Sequence, residues 1–100
     1  MKRKWSTRIA GVKPEIILGL LLMQEVFKMY DEEITLTSLT DGEHSTRSYH
    51  PMGYAVDLRL PVFADAKGLC TQLDIALGPE FDVFLEIDHI HVEFDVRKAR

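Results

Sequence analysis

The sequence predicts an α+β domain, a small and largely antiparallel sheet with helices packed on one face, and three observations predict it. After Pro14, apolar side chains recur at helical spacing through Tyr30. Short stretches at 34–39, 55–60, 81–86 and 91–96 have the β-branched, apolar or alternating character of strands. The resulting order, helix, strand, strand, helix, strand, strand, lacks the regular strand–helix alternation of a parallel α/β sheet.

The first helix opens at Pro14, which suits a first helical turn, and Glu15 complements the positive end of the helix dipole. Ile16, Leu20, Met23, Phe27 and Tyr30 step by three and four along one face. Ile17, Leu18, Leu21 and Leu22 widen that face and predict a deeply packed helix, with Gly19 as a mild weakness. Asp31-Glu32-Glu33 ends the pattern in a solvated turn. Ile34 to Leu39 then reads as a strand, and a polar loop runs from Thr40 through His50-Pro51. In the next strand Val56, Leu58 and Leu60 share one face while Ala55, Asp57 and Arg59 share the other. Pro61 stops it. A second helix is predicted over Ala64 to Leu77, with Leu69, Leu73 and Leu77 four apart and Gly78-Pro79 as terminator. Phe81 to Glu86 and His91 to Val96 are the final strands, joined by a turn at Ile87-Asp88-His89-Ile90.

One hundred residues suit a single domain, residues 1–100, that buries about two-thirds of its unfolded surface. A bound metal would help stabilise so small a core. The formal charge of −4 and pI near 5.5 give no general attraction to nucleic acid or anionic membranes. The basic ends, Lys2-Arg3-Lys4 and Arg97-Lys98-Arg100, are expected to be solvated tails. The single Cys70 excludes an internal disulfide and falls in the second helix as a small packing residue. The apolar run from Ile16 to Met23 is too short for a membrane span, and no small-residue cleavage site follows it. The expectation is therefore synthesis in the cytoplasm without a signal peptide and no membrane insertion, and a monomer is assumed.

Histidines and carboxylates fall in two stretches, Ser48 to Asp57 and Glu86 to Phe94. Asp57 lies opposite in strand parity to Val56 and Leu58, and His91 opposite to Val92 and Phe94, so neighbouring strands would aim both into one cleft. His50 would reach it from the preceding loop. Two imidazoles and a carboxylate form a three-ligand set typical of catalytic zinc. A hydrolytic site also needs a carboxylate that is not a ligand to carry the proton of the attacking water. Asp88 is the first candidate, provided a turn or bulge brings it to the face of His91. Glu86 is its rival, since Glu86-x-x-His89 has the same offset. By residue type alone, a loop histidine, a hydrogen-bonded strand carboxylate and an exposed strand histidine remain an alternative reading.

His50-x-x-Gly53-x-Ala55-x-Asp57, preceded by Ser48 and followed by Asp88-x-x-His91-Val92-Glu93, resembles the signature of the M15 peptidases. That family includes D-Ala-D-Ala carboxypeptidases and phage L-alanyl-D-glutamate endopeptidases, and shares its fold with the hedgehog signalling domain. Val12-Lys13-Pro14-Glu15 resembles the phage enzymes, so the likeness spans roughly residues 12–96. The resemblance implies one zinc ion held by His50, Asp57 and His91, with Asp88 as general base and a peptidoglycan stem peptide as substrate. It further implies a lysin-like enzyme acting on the cell wall. Arg47 is a candidate to hold a substrate carboxylate, His44 to stabilise an oxyanion, and Ser48 to contact substrate. His89 is expected at the cleft edge, Glu86 as a strand carboxylate or ligand partner, and Glu93 as an acceptor orienting His91. The competing function is a non-catalytic, metal-containing binding module of the same fold.

Overall fold

The structure is a computed structural model that describes residues 2–3, 13–38 and 54–95. Helix α1 spans Pro14–Met29, with Pro14 in its first turn and Glu15 and Lys28 placed favourably for the helix dipole. Its buried face is Ile16, Gly19, Leu20, Met23, Val26 and Phe27. The face is narrower than its apolar content predicts: Ile17, Leu18, Leu21 and Leu22 are all exposed. The remaining core lies on one side of this helix only, so a second row of leucines has nothing to pack against among the described residues. Gly19 is not a simple weakness. A Cβ there would meet the Phe81 ring at 3.0 Å, so the bare backbone lets α1 approach that ring closely.

The helix ends in a Schellman arrangement. Asp31 takes a positive φ of 56°, its N–H donates to the Lys28 carbonyl, and the Glu32 N–H donates to that of Phe27 at 2.9 Å. Glu32 is more than the solvated turn residue its sequence context suggests. Its carboxylate accepts backbone N–H bonds from Val62, Phe63 and Ala64 at 3.0, 2.8 and 2.8 Å, tying the end of α1 to the segment that leads into the second helix. These three bonds hold its carboxyl below the usual carboxylate range. A depressed folded pKa contributes stability above the unfolded value and loses it as pH falls through the folded one. The melting temperature of Glu32→Gln should therefore lie below that of the wild type at neutral pH, and the gap should close in acid. A gap that stays constant from pH 7 to below 3 would show that the charge is irrelevant.

Helix α2 spans Ala66–Leu77 and starts two residues later than its apolar spacing suggests, because Asp65 caps it by accepting from the N–H groups of Lys67 and Gly68. Gly78, with φ of 87°, ends it. Leu69, Leu73 and Leu77 are its buried face. Cys70 is half-buried on α2, and burial, aided by the Asp65 charge, pushes its thiol up, as befits a packing residue.

Five strands form one sheet: β1 (Lys2–Arg3), β2 (Thr35–Ser38), β3 (Ala55–Arg59), β4 (Phe81–Leu85) and β5 (His89–Phe94), in the order β1-β2-β3-β5-β4. All neighbours are antiparallel except β1 and β2. Sequence patterning placed Lys2 and Arg3 in a solvated tail. They pair in parallel with Thr35 and Leu36, a backbone interaction that two charged residues cannot announce. The β4–β5 turn is also shorter than expected. The Glu86 N–H donates to the His89 carbonyl at 2.9 Å, leaving only Ile87 and Asp88 at the tip, so His89 and Ile90 belong to β5 rather than to the turn. Burial of Ile90 explains the difference, since it is fully enclosed in series with Val92 and Phe94.

Val56, Leu58, Ile90, Val92 and Phe94 form the inner sheet face, and the buried residues of both helices cover it. The Phe81 and Phe94 rings meet edge to face with centroids 5.2 Å apart. With the helices on this side, the alternate residues of β3 and β5 are left on the opposite face of the sheet. The polar side chains gather there.

Candidate metal centre

The sheet register brings the site together. Asp57 of β3 pairs with His91 of β5, which pairs in turn with Phe84 of β4. One step along the same face, Arg59 pairs with His89, and one step the other way Ala55 pairs with Glu93. Asp57 is held between Val56 and Leu58, both fully buried on the inner face, so its own side chain must emerge outward. The same alternation in β5 buries Ile90, Val92 and Phe94 and turns out His89, His91 and Glu93.

Three ligand-type atoms converge there. The His91 Nδ1 lies 2.8 Å from Asp57 Oδ1, and the His89 Nε2 lies 3.6 Å from that same oxygen. One ligand atom from each of Asp57, His89 and His91 falls within 4.8 Å of the others. Ligands of a tetrahedral zinc ion sit about 3.3 Å apart, so small side-chain rotations would close this cluster around an ion. One carboxylate oxygen and two imidazole nitrogens are also the donor set such an ion takes. These three residues can bind a metal ion.

The outer nitrogen of each ring is engaged as well. His91 Nε2 is 2.9 Å from Glu93 Oε1, and His89 Nδ1 is 2.7 Å from Asp88 Oδ1. Each histidine therefore turns one nitrogen toward Asp57 and has the other held by a carboxylate, the arrangement that fixes ring orientation and raises basicity in carboxylate–histidine–metal sites. Without a metal, both nitrogens of His91 face carboxylates, and both can donate only in the imidazolium form. Burial opposes that charge, but the hydrogen bonds and negative charges of Asp57 and Glu93 outweigh it and hold His91 above the ordinary histidine value. The hydrogen bond from His89, reinforced by its charge, holds the Asp88 carboxyl below the usual range.

Asp57, His91 and Glu93 meet as strand parity predicts, with Glu93 as the acceptor on the far side of the His91 ring. Asp88 stands at the exposed hairpin tip. The turn lies before His89 and not between Asp88 and His91, and the Asp88 carboxylate bonds to the neighbouring imidazole. Glu86 is exposed beside it, its backbone closing the hairpin. His44, Arg47, Ser48 and His50 lie outside the described residues. His89 is the residue that sequence reasoning placed only at the cleft edge. Its signal was the two-residue spacing to His91, which puts both on one face as soon as the strand is extended back to residue 89. Phe84 adds a half-exposed ring 5.9 Å from that of His91, an apolar wall on the side away from Asp57.

None of the protein-family models, curated proteins or solved structures compared with the chain matches it.

Proposed function

We propose that this chain is a zinc-dependent peptidase that hydrolyses a peptide bond in the stem peptides of bacterial peptidoglycan. The observation that carries the reading is the 2.8 Å meeting of Asp57 and His91 across β3 and β5, on the sheet face away from the core. These are the residues that the two M15-like motifs assign to the metal, one from each motif. They come together with a second imidazole, and both rings are held by carboxylates.

Asp57 and His91 would hold the ion, and the third protein ligand is His50 by the sequence motif or His89 by the described geometry. Zinc, when bound, supplies Lewis acidity that polarises a substrate carbonyl and makes water acidic near neutral pH. The rest is the work of the chain. Glu93 keeps the His91 ring in place through Nε2. With His50 as the third ligand, Asp88, ionised and solvent-accessible at the hairpin tip, can accept the proton of the attacking water and return that proton to the leaving amine. The formal charge of −4 agrees with a peptide substrate better than a polyanionic one.

Digestion of purified peptidoglycan by the zinc-loaded protein, read by mass spectrometry, tests the proposal. Loss of one D-Ala identifies a carboxypeptidase, and release of whole stem peptides an endopeptidase acting at L-Ala-D-Glu. Asp88→Ala should keep the fold but lose most of the rate, about 10²-fold or more. Stoichiometric zinc with no product from any stem peptide would instead favour the non-catalytic binding module.

A further inference from the structure

Arg59 has no part in the chemistry above, yet its position ties it to the same site. It shares a strand and a face with Asp57, two residues further along β3, and pairs in register with His89 across β5. Two strand residues span about 7 Å, and an extended arginine side chain covers a comparable distance, so the guanidinium can reach the surroundings of the Asp57–His89–His91 cluster. Arg59 is exposed, and no hydrogen bond or ion pair occupies it among the described residues.

Its surroundings give the charge a use. Asp57, Glu93 and Asp82 lie on this face of β3, β5 and β4, and Glu86 and Asp88 flank the hairpin tip. An anionic substrate group would be repelled across most of this surface. Arg59 is a permanent cation on this face, and it stands at the edge of the metal cluster. Its planar fork suits a carboxylate in a bidentate pair, which a lysine in its place would not reproduce.

We infer that Arg59 binds the free carboxylate of the substrate residue immediately after the scissile bond. The inference rests on the peptidase reading and names the group recognised at that same site. Both candidate bonds supply such a group. In D-Ala-D-Ala it is the terminal carboxylate. At L-Ala-D-Glu it is the α-carboxylate of D-Glu, left free because the chain continues through the side-chain carboxyl. By covalent geometry this carboxyl carbon lies within about 4 Å of the scissile carbonyl carbon. A substrate with that carbonyl at the metal cluster therefore brings the carboxylate into the range of Arg59. Phe84, across His91 from Asp57, offers an apolar surface to the small alanine side chain before the bond.

The test measures binding separately from turnover. Two pairs of peptides, each N-methylated at the scissile amide to prevent cleavage, are titrated calorimetrically into the zinc-loaded protein. One pair is D-Ala-D-Ala and its C-terminal amide. The other is L-Ala-D-Glu with its side-chain carboxyl amidated, and the same peptide with the α-carboxyl also amidated. The wild type should prefer the free carboxylate by roughly tenfold or more in one pair, which identifies its source. Arg59→Gln should bind acid and amide alike, Arg59→Lys should recover part of the preference, and zinc content and melting temperature should be unchanged in both. A preference that survives in Arg59→Gln, or none in the wild type for either pair, overturns the inference. Hydrolysis of the unmethylated peptides separates the two ideas. An Arg59-dependent preference without cleavage upholds Arg59 and sinks the peptidase reading. Cleavage that ignores the carboxylate does the reverse.

Discussion

His91→Ala will abolish tight zinc binding, taking metal content from about one ion per chain to near zero after dialysis against metal-free buffer. His91 is, with Asp57, one of the two residues on which both proposed ligand sets agree, and its loss also removes the imidazole closest to Asp57. Structural zinc contributes on the order of 10 kcal/mol, and a site reduced to one carboxylate and one imidazole cannot retain the ion against dialysis. The companion variants His50→Ala and His89→Ala decide the third ligand, because only the true ligand will reduce zinc content comparably. If His89 is that ligand, Asp88 acts by holding its ring. If it is His50, the Asp88–His89 pair stands beside the metal. Glu93→Gln should weaken zinc affinity by about 10- to 100-fold without eliminating it. Retention of one full equivalent by His91→Ala would remove the centre from this sheet face.

The pH dependence has a definite sign. The folded pKa of metal-free His91 is raised, so its charged form adds stability that is fully present below the unfolded value and is lost as pH rises through the folded one. Metal binding must displace that proton. The rise in melting temperature on adding zinc should therefore be larger at pH 8 than at pH 6. Calorimetry in buffers of different ionisation enthalpy should register proton release.

Phe27→Ala will destabilise the domain by about 3–5 kcal/mol, the range for emptying a large core site. Phe27 is 1% exposed and the largest fully buried side chain among the described residues. It sits in the last turn of α1, where its carbonyl also accepts the Glu32 N–H that reverses the chain. The cavity would open where the helix is tied to the segment before α2. Domains of this kind are stable by about 5–15 kcal/mol, and each kcal/mol moves the midpoint by about 4–8 °C. A fall in melting temperature on the order of 15–30 °C is expected, partly recovered by saturating zinc. Leu18→Ala, on the exposed side of the same helix, should change stability by no more than about 0.5 kcal/mol. Comparable losses in the two variants would mean that the outer leucines are covered.

Periodicity explains why much of this arrangement was legible beforehand. The step of three and four from Ile16 to Phe27 identifies a helix because those positions share a face whatever lies opposite. The alternation around Asp57 and His91 assigns both to one side of a sheet for the same reason. Pairing is different. That Asp57 faces His91 at 2.8 Å depends on β3 lying beside β5, and a slip of one residue would have turned every polar group inward. The place of the hairpin tip followed from burying Ile90, a gain that no local pattern of turn residues records.

The sequence alone determined the α+β class, both helices, that Asp57, His91 and Glu93 carry the polar-face parity of β3 and β5, and the chemical types available there, since these follow from local spacing and side-chain chemistry. Tertiary structure decided that β1 joins the sheet, that Gly19 makes room for Phe81, that Glu32 clamps residues 62–64, and that His89 stands with Asp57 and His91. Each of these depends on which distant segments become neighbours. That choice is made by the burial of the shared core, where no single stretch of chain carries the information.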